Sequence, residues 1–417
     1  MTFHLVGIGG TGMSALAIFL KERGHIVTGS DRNLNTPTIE YLRKLGIGCF
    51  PDDGKAIADD IDRVVVSSAI EDDNRDTIAA KRLSVPIVHR TEALAMQLEN
   101  SSIIAVAGTC GKSTATAILA HILTECGLDP TCINGAPVPG PGWLGPVRIG
   151  KDSRDIVVME VDESDKSLLR FFPHSVIITN SSSDHYSKDE MDKVFDEFAA
   201  RVPNYGFLVD GRHKDGITPE IEEMASHIAL LGAHNRENAI NATRMALKWG
   251  CKKEQIIKAL ETFPGVARRL QRITPSNAQI AVYDDYAHNT EKLHAMWTTL
   301  ANEYPKGICV VWRPHGYAPL RKLLDNLAEM FRETIRPQDE LLLLPVYDAG
   351  GTADRTINSA DLQQKIGLEN VRLVPDPTSA ADWIAANKEY FGCFATCGAR
   401  DPYLPALAQE ICRRIES

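Results

Sequence analysis

IIAVAGTCGKST, residues 103–114, is the stretch that decides the fold, because an apolar run passes through a glycine-containing turn into the start of a helix. The apolar residues 103–107 are typical of a buried strand, and residues 112–126 predict a helix. Backbone amides and the helix dipole can hold phosphates in the turn between them, with a lysine on the β and γ oxygens and a serine hydroxyl on Mg²⁺. We therefore predict a nucleoside triphosphate site formed by Gly108, Thr109, Cys110, Gly111, Lys112, Ser113 and Thr114.

This turn departs from the standard phosphate-loop motif, because Val106 occupies the position six residues before Lys112 where that motif has a glycine. The Gly-Lys-Ser-Thr core is nevertheless complete. We expect Lys112 to be exposed on the loop and to contribute little to packing.

A second glycine turn, Gly7–Gly12, follows an apolar strand at 3–6 and precedes a predicted helix near 13–23. It matches G-x-G-x-x-G, and Asp31 lies nineteen residues beyond Gly12 at the end of the next strand. Glycines in this pattern let the backbone approach a pyrophosphate at a helix N-terminus. The pattern does not distinguish NAD from other nucleotide diphosphates, and a turn that needs glycine only for packing is the alternative.

Polar side chains follow two further predicted strands. Glu160 ends the strand at 156–160, and Asp184 and His185 come after the strand at 175–179. Because the carboxyl ends of parallel strands meet at one edge of a sheet, Glu160 and His185 can both reach a metal site beside the phosphate loop. We expect Glu163 and Asp165 to be solvated loop residues.

Apolar strands, glycine turns and amphipathic helices alternate along the whole chain, which is typical of parallel α/β domains. We divide the chain into three blocks, 1–95, 96–272 and 273–417. The predicted strands are 3–6, 25–29, 63–67, 103–107, 156–160, 175–179, 279–284, 307–312, 340–344 and 391–396. Residues 136–145 are rich in proline and glycine and predict a loop.

Composition excludes several classes of protein. The 417 residues include 45 basic and 55 acidic ones, a formal charge of −10, and no Lys/Arg block that would indicate a nucleic-acid or anionic membrane partner. We find no signal peptide and no apolar run long enough to span a membrane. The nine cysteines lack paired zinc-site spacing. We expect a cytosolic protein whose partners are small molecules.

Taken together and in order, these motifs resemble those of the Mur ligases of peptidoglycan synthesis. Further matching segments, spread over nearly the whole chain, are Ser67-Ser68-Ala69-Ile70, Gly232–Ala239 with Asn235 and Asn238, Gly265–Arg269, Asp284–His288, Pro314–Tyr317, Val346–Gly350 and Cys397–Ala399.

The resemblance implies a three-domain α/β enzyme: an N-terminal Rossmann-like domain for a UDP-sugar, a central P-loop ATPase-like parallel sheet for ATP and Mg²⁺, and a C-terminal Rossmann-like domain for the amino acid. ATP would phosphorylate a carboxylate, and an amine would then displace phosphate from the acyl phosphate. The chain would be a monomer or a homodimer.

The resemblance also implies roles for residues. Mg²⁺ would lie on Ser113, Glu160 and His185, with Asn235 and Asn238 at the adenine, and Arg269 and Asp285 would reach the nucleotide on domain closure. The UDP-sugar would contact Gly9, Gly10, Thr11, Gly12, Met13, Asp31, Ser67 and Ser68, and the amino acid His288, His315 and Arg321.

The chain departs from the family mainly at the amino-acid end. In the alanine-adding branch two arginines bind the amino-acid carboxylate, and here Gly316 and Pro319 stand in their places, with Arg321 two residues further on. Asn289-Thr290 replaces a His-Pro pair, and Cys110 replaces the phosphate-loop histidine. The segment between Gly211 and Gly232 is also shorter than in the family.

Three alternatives stay open at this point. The ligase chemistry could serve another substrate, in murein peptide recycling or outside the cell wall. The chain could also be a nucleotide-binding paralogue that has lost ligation, which the missing arginines favour. The third alternative is an NAD-dependent dehydrogenase, a function that would leave Lys112, Glu160 and His185 without roles.

Overall fold

The computed structural model describes residues 1–152, 154–163, 166–181, 187–275, 277–348, 354–399 and 401–416. Within them the chain forms three mainly parallel sheets with flanking helices, which confirms the predicted three-sheet α/β class. None of the helices in these residues is both long and apolar enough to cross a bilayer.

The first sheet is parallel throughout, in the order β3-β2-β1-β4-β5. Because β1 lies between β2 and β4, connections leave it toward both sides of the sheet, and ligands bind at such a switch point beyond the strand ends. The elements are β1 (Thr2–Val6), α1 (Thr11–Glu22), β2 (Ile26–Asp31), α2 (Pro37–Lys44), β3 (Gly48–Pro51), β4 (Arg63–Val66), α3 (Arg75–Arg82), β5 (Ile87–His89) and α4 (Arg90–Gln97).

The second sheet has the order β12-β11-β6-β10-β7-β9-β8, in which β9 is antiparallel to both its neighbours, β7 and β8, and the other pairs are parallel. Its central strand β6 leads into the phosphate loop and the largely buried helix α5. The elements are β6 (Ser102–Ala107), α5 (Lys112–Glu125), β7 (Thr131–Ile133), β8 (Trp143–Leu144), β9 (Val147–Arg148), β10 (Ile156–Glu160), β11 (Ser175–Ile178), α6 (Lys188–Ala199), β12 (Phe207–Asp210), α7 (Pro219–Ala225), α8 (Ala233–Lys248) and α9 (Lys253–Thr262).

The third sheet has the order β13-β14-β18-β15-β16-β17, and only β13 is antiparallel to its neighbour. The elements are β13 (Gln271–Arg272), β14 (Ala281–Asp285), α10 (Thr290–Glu303), β15 (Ile308–Trp312), α11 (Tyr317–Thr334), β16 (Glu340–Leu343), α12 (Ser359–Ile366), β17 (Val371–Leu373), α13 (Pro377–Asn387), β18 (Cys393–Cys397) and α14 (Leu404–Glu416).

The long predicted strands and helices are present, and the differences concern short elements. The sequence pattern did not predict eight strands of two to four residues, most of which lie at or next to a sheet edge: β3, β5, β7, β8, β9, β12, β13 and β17. Residues 136–145 are not wholly a loop, because Trp143–Leu144 pairs with Val147–Arg148 in a hairpin whose strands have two residues each.

The chain forms two compact units, one of Met1–Leu230 with His234–Val266 and the other of Leu231–Ala233 with Ala267–Ser417. In the first unit the cores of the first two sheets are continuous: Leu16 and Phe19 of α1 belong to the same apolar cluster as Val147 and Met159. The ion pair between Arg23 and Asp155, 2.7 Å long, joins the same two sheets. The boundaries at 95/96 and 272/273 stay predictions.

Candidate active site

The phosphate loop lies between β6 and α5 and is shaped by glycine. Gly111 caps α5 with φ 80°, and a Cβ there would lie 2.3 Å from Oδ1 of Asn238. Both the backbone conformation and this close approach therefore require glycine. Asn238 and Asn235 are buried on α8. The structure thus brings Asn238, one of the two predicted adenine contacts, directly against the loop.

The end of β11 holds the loop from the other side. Thr179 Oγ1 donates to the carbonyl of Cys110 at 2.6 Å, and Asn180 Nδ2 donates to the same carbonyl at 2.9 Å. Asn180 Oδ1 accepts from the amide of Cys110 at 2.9 Å and from the hydroxyl of Thr109 at 3.0 Å. The motif alone did not reveal these two loop-shaping residues, and their place at the end of a neighbouring parallel strand was the available signal.

Lys112 is not exposed, and that expectation was wrong. Its side chain is 15% exposed, and Nζ donates to the carbonyl of Gly108 at 2.7 Å and to Glu163 Oε1 at 3.0 Å. The second oxygen of Glu163 lies 2.8 Å from Nζ. Lys112 is therefore held in place as part of the packed loop.

Glu163 corrects a second expectation, because it is 4% exposed rather than solvated. Its carboxylate folds back onto Lys112 from the segment after β10, and Asp165 lies outside the described residues. Burial would lower the pKa of Lys112, but the carboxylates of Glu163 and Glu160 outweigh it and the pKa is raised. Burial raises the pKa of Glu163, although Lys112 opposes that shift.

Two of the three predicted metal ligands are described. Ser113 is buried in the first turn of α5, with Thr114 buried beside it, and Glu160 ends β10 opposite Val106 of β6. Glu160 Oε2 accepts from the amide of Gly135 at 2.8 Å, which fixes the carboxylate at this sheet edge. A hydroxyl and a carboxylate are the oxygen ligands that Mg²⁺ prefers, so these residues fit that ion.

His185, with Asp184, lies outside the described residues. Among the residues that the structure describes, no three His, Cys, Asp or Glu side chains gather into a metal-binding group.

The glycine turn lies at the carboxyl end of β1. Asp31, at the end of β2, accepts from the amide of Gly9 at 2.9 Å and from that of Asn33 at 3.0 Å, so it braces the turn. Helix α1 begins at Thr11 with Gly10 as N-cap, and Thr11 and Gly12 are exposed there. The other predicted contacts differ in exposure: Met13 is buried, Ser67 is half-buried and Ser68 is exposed after β4.

Arg90 is a cation at this turn that the sequence did not reveal. It is the first residue of α4, and its Nη1 lies 2.9 Å from where a Cβ on Gly12 would be. Its Nη2 lies 3.3 Å from Oδ2 of Asp162, the neighbour of Glu163. The segment Glu160–Glu163 therefore contacts a residue at the glycine turn and a residue of the phosphate loop.

In the second unit, Asp285 is a half-buried residue that holds the backbone around it. Its carboxylate accepts from the amides of Leu270 at 2.5 Å and Ala287 at 2.6 Å, and burial raises its pKa. Arg269, predicted to act beside it, lies over the ring of Tyr286 at 5.3 Å. Burial also raises the pKa of Asp284 to about 6, against the opposing effect of Arg268.

The predicted amino-acid contacts separate into two groups. The rings of His288, just before α10, and His315, just before α11, meet edge to face with their centres 4.9 Å apart. Arg321 instead pairs with Asp354 at 2.9 Å and donates to the hydroxyl of Thr356 at 3.0 Å.

A different arginine lies against the first turn of α11. Arg355 lies 5.9 Å from the ring centre of Tyr317, two residues after His315, and pairs with Asp348 at 2.7 Å. Nothing in the sequence motif indicated it, because 38 residues separate Arg355 from Tyr317.

Comparison with known proteins gives consistent results for both ends of the chain. The family model described as "Mur ligase family, catalytic domain" matches residues 2–101. The model described as "Mur ligase, glutamate ligase domain" matches residues 268–400.

Full-length relatives carry one activity in their names. The UDP-N-acetylmuramate–L-alanine ligase of Ruthia magnifica is 32% identical over 412 residues, 87% of this chain and 86% of that protein. The ligase of the same name from Chelativorans sp. is 31% identical over 98% of both chains.

Solved structures are similar over the same length. The UDP-N-acetylmuramate-alanine ligase of Thermotoga maritima superposes with a TM-score of 0.81 at 25% identity, covering 100% of this chain and 99% of that one. A murein peptide ligase from Psychrobacter arcticus, with a TM-score of 0.68 at 19% identity over 100% and 98% of the chains, shares the fold.

Proposed function

The chain belongs to the Mur ligase family, and from that premise we propose that it is an ATP-dependent amide-bond ligase. It phosphorylates the carboxylate of a UDP-N-acetylmuramate-type substrate and joins it to an amino acid in peptidoglycan precursor synthesis, with release of ADP and phosphate. One observation carries this proposal: the segment Glu160–Glu163 reaches both Lys112 of the phosphate loop and Arg90 at the glycine turn.

At the ATP end, the amides of the loop and the N-terminus of α5 face the phosphates, and Lys112 neutralises the β and γ oxygens. Ser113 and Glu160, with His185, would hold Mg²⁺, which neutralises phosphate charge when bound. Asn235 and Asn238 contact the adenine, and the roles that the resemblance implies for Arg269 and Asp285 stay predictions. Catalysis then consists of positioning and charge stabilisation.

At the UDP-sugar end, the amides of Thr11, Gly12 and Met13 in the first turn of α1 face the diphosphate, while those of Gly9 and Gly10 donate to Asp31 and Gly7 and shape the turn. Arg90 adds a positive charge at the same turn, as its distance from Gly12 supports. Asp31 holds the turn in the shape that admits the diphosphate. Ser67 and Ser68 follow β4, whose end neighbours β1.

At the amine end, His288 and His315 face the incoming amino acid. Its carboxylate loses hydration on binding and needs a cationic partner. Gly316 and Pro319 cannot supply that charge, and Arg321 is already paired with Asp354. Arg355 is also paired, with Asp348, but it lies over the ring of Tyr317, two residues after His315. From this position we infer that Arg355 is the cation on this side and that L-alanine, the amino acid named for the relatives, is bound weakly.

Phosphate release from Mg-ATP tests the proposal, with UDP-N-acetylmuramate and a panel of amino acids and short peptides as substrates. We expect release only when ATP, the UDP-sugar and an amine are all present. Nucleotide binding without release for any amine would contradict ligation and favour a paralogue that only binds nucleotide. Micromolar NAD binding without UDP-sugar binding would favour a dehydrogenase.

A further inference from the structure

The phosphate-loop lysine already has an anionic partner in the chain itself. Both oxygens of Glu163 lie within hydrogen-bond distance of Lys112 Nζ, at 3.0 and 2.8 Å. The two side chains are 15% and 5% exposed, so water screens this pair only weakly. The pair thus lies where the proposed function needs the ammonium to face phosphate.

We infer that Glu163 is a built-in competitor of the ATP phosphates for Lys112. Its carboxylate holds the ammonium while no nucleotide is bound, and ATP binding exchanges that carboxylate for the β and γ phosphate oxygens. This inference rests on the proposed function, because it assumes that ATP occupies the loop.

Charge burial gives the physical reason for such a pair. A buried ammonium without a partner is strongly unfavourable, so Glu163 stabilises the loop of the nucleotide-free chain. Among the described residues, Lys112 Nζ donates to one neutral group and one ion, and the neutral one, the carbonyl of Gly108 at 2.7 Å, can keep its bond while the anion changes. Lys112 is therefore oriented before ATP arrives.

The same contact must lower the apparent affinity for ATP. Only the fraction of molecules in which Lys112 has left Glu163 binds the phosphates productively, and the apparent dissociation constant rises as that fraction falls. Asp162, the residue before Glu163, is paired with Arg90 at 3.3 Å. This ion pair limits how far the backbone at Glu163 can move when ATP binds.

Glu163→Gln separates a competitor from a structural support, because it keeps the shape and removes the charge. We expect the melting temperature of the nucleotide-free variant to fall, while the dissociation constant for the Mg²⁺ complex of a non-hydrolysable ATP analogue, measured by calorimetry, also falls, by on the order of tenfold. The KM for ATP falls in parallel. A residue that only supports the loop would weaken both stability and affinity.

Two further variants complete the test. Glu223→Gln removes a carboxylate from an exposed pair with Lys253 and should leave the affinity for the analogue unchanged. Glu163→Asp keeps the charge but moves it away from Lys112, so it should bind the ATP analogue a few-fold more tightly than the wild type. This variant tests the inference if Glu163→Gln does not fold.

The outcomes distinguish this inference from the proposed function. Wild-type binding of the analogue with weaker or unchanged binding by Glu163→Gln and Glu163→Asp overturns the competitor role alone. Absence of analogue binding by the wild-type chain overturns the proposed function and the inference together.

Discussion

The phosphate-loop edge of the first unit and the corner around His315 in the second unit differ in how closely they keep the family pattern. At the loop, backbone amides, Lys112 and Ser113 are in place and neighbouring strand ends support them. At the corner, glycine and proline occupy the two positions where the alanine-adding branch has arginine, and Arg321 is paired with Asp354. From this contrast we propose that the chain retains the means to activate a carboxylate while its recognition of the amine has changed.

Lys112→Ala should give the largest effect on the intact end. Losing its charge from the transferring phosphoryl group should reduce ATP-dependent phosphate release by about a thousandfold or more. Because the buried Glu163 would then lack its partner, Lys112→Ala/Glu163→Gln is the matched variant that separates lost chemistry from lost stability. The exposed Lys151→Ala serves as control. Retention of more than about a tenth of the wild-type rate in a folded variant would contradict the assignment.

Gly9→Val should produce the next largest effect, at the UDP-sugar end. A Cβ at Gly9 would lie 2.9 Å from Oδ2 of Asp31, so a branched side chain must displace the brace and obstruct the diphosphate. We expect UDP-sugar affinity to fall about a hundredfold or more by calorimetry, and NAD not to compete in the wild-type protein. Gly392→Ala, where φ is not positive and an added Cβ would make ordinary van der Waals contacts with Tyr304 at 3.4 and 3.5 Å, is the control for loss of a glycine. Wild-type affinity in Gly9→Val would show that the diphosphate binds elsewhere.

At the corner around His315, the expected effect is on the KM for L-alanine. We expect this KM to lie about a hundredfold above that of family members with both arginines. Restoring both arginines is expected to help only if the backbone allows it, and Gly316 has φ 154°, which side-chain-bearing residues rarely adopt. Pro319→Arg, in the first turn of α11, avoids that strain and should lower the KM about tenfold. Pro305→Arg, at an exposed position outside the corner, is the control.

The smallest effects on the KM for the amine should come from Arg321 and Arg355, and their order should show which of the two binds substrate. Arg321→Ala should change the KM for the preferred amine less than about threefold, because Asp354 and Thr356 already occupy its guanidinium. Arg355 is paired with Asp348, but it lies over Tyr317, two residues after His315, so Arg355→Ala should raise that KM about tenfold. The reverse order of the two effects, measured by initial rates at saturating ATP, would mean that Arg321 leaves Asp354 to bind substrate.

Local motifs predicted the backbone structure, but they did not predict contacts between side chains that are far apart in sequence. Residues 108–114 were identified because strand, turn and helix are contiguous, and the long strands of all three sheets followed from the same pattern. Glu163 was misjudged because its partner Lys112 is 51 residues away, and a carboxylate after a strand is usually solvated. Arg90 was missed for the same reason, since 72 residues separate it from Asp162.

Hydroxylamine trapping tests the difference between the two ends most directly, because hydroxylamine attacks an acyl phosphate without any carboxylate to be recognised. With Mg-ATP and UDP-N-acetylmuramate, we predict that hydroxylamine gives the hydroxamate of the UDP-sugar with one phosphate released per product. L-alanine at the same concentration should support far slower phosphate release. Absence of hydroxamate would contradict an intact activation end, and saturation by L-alanine at a KM typical of the family would contradict an altered amine end.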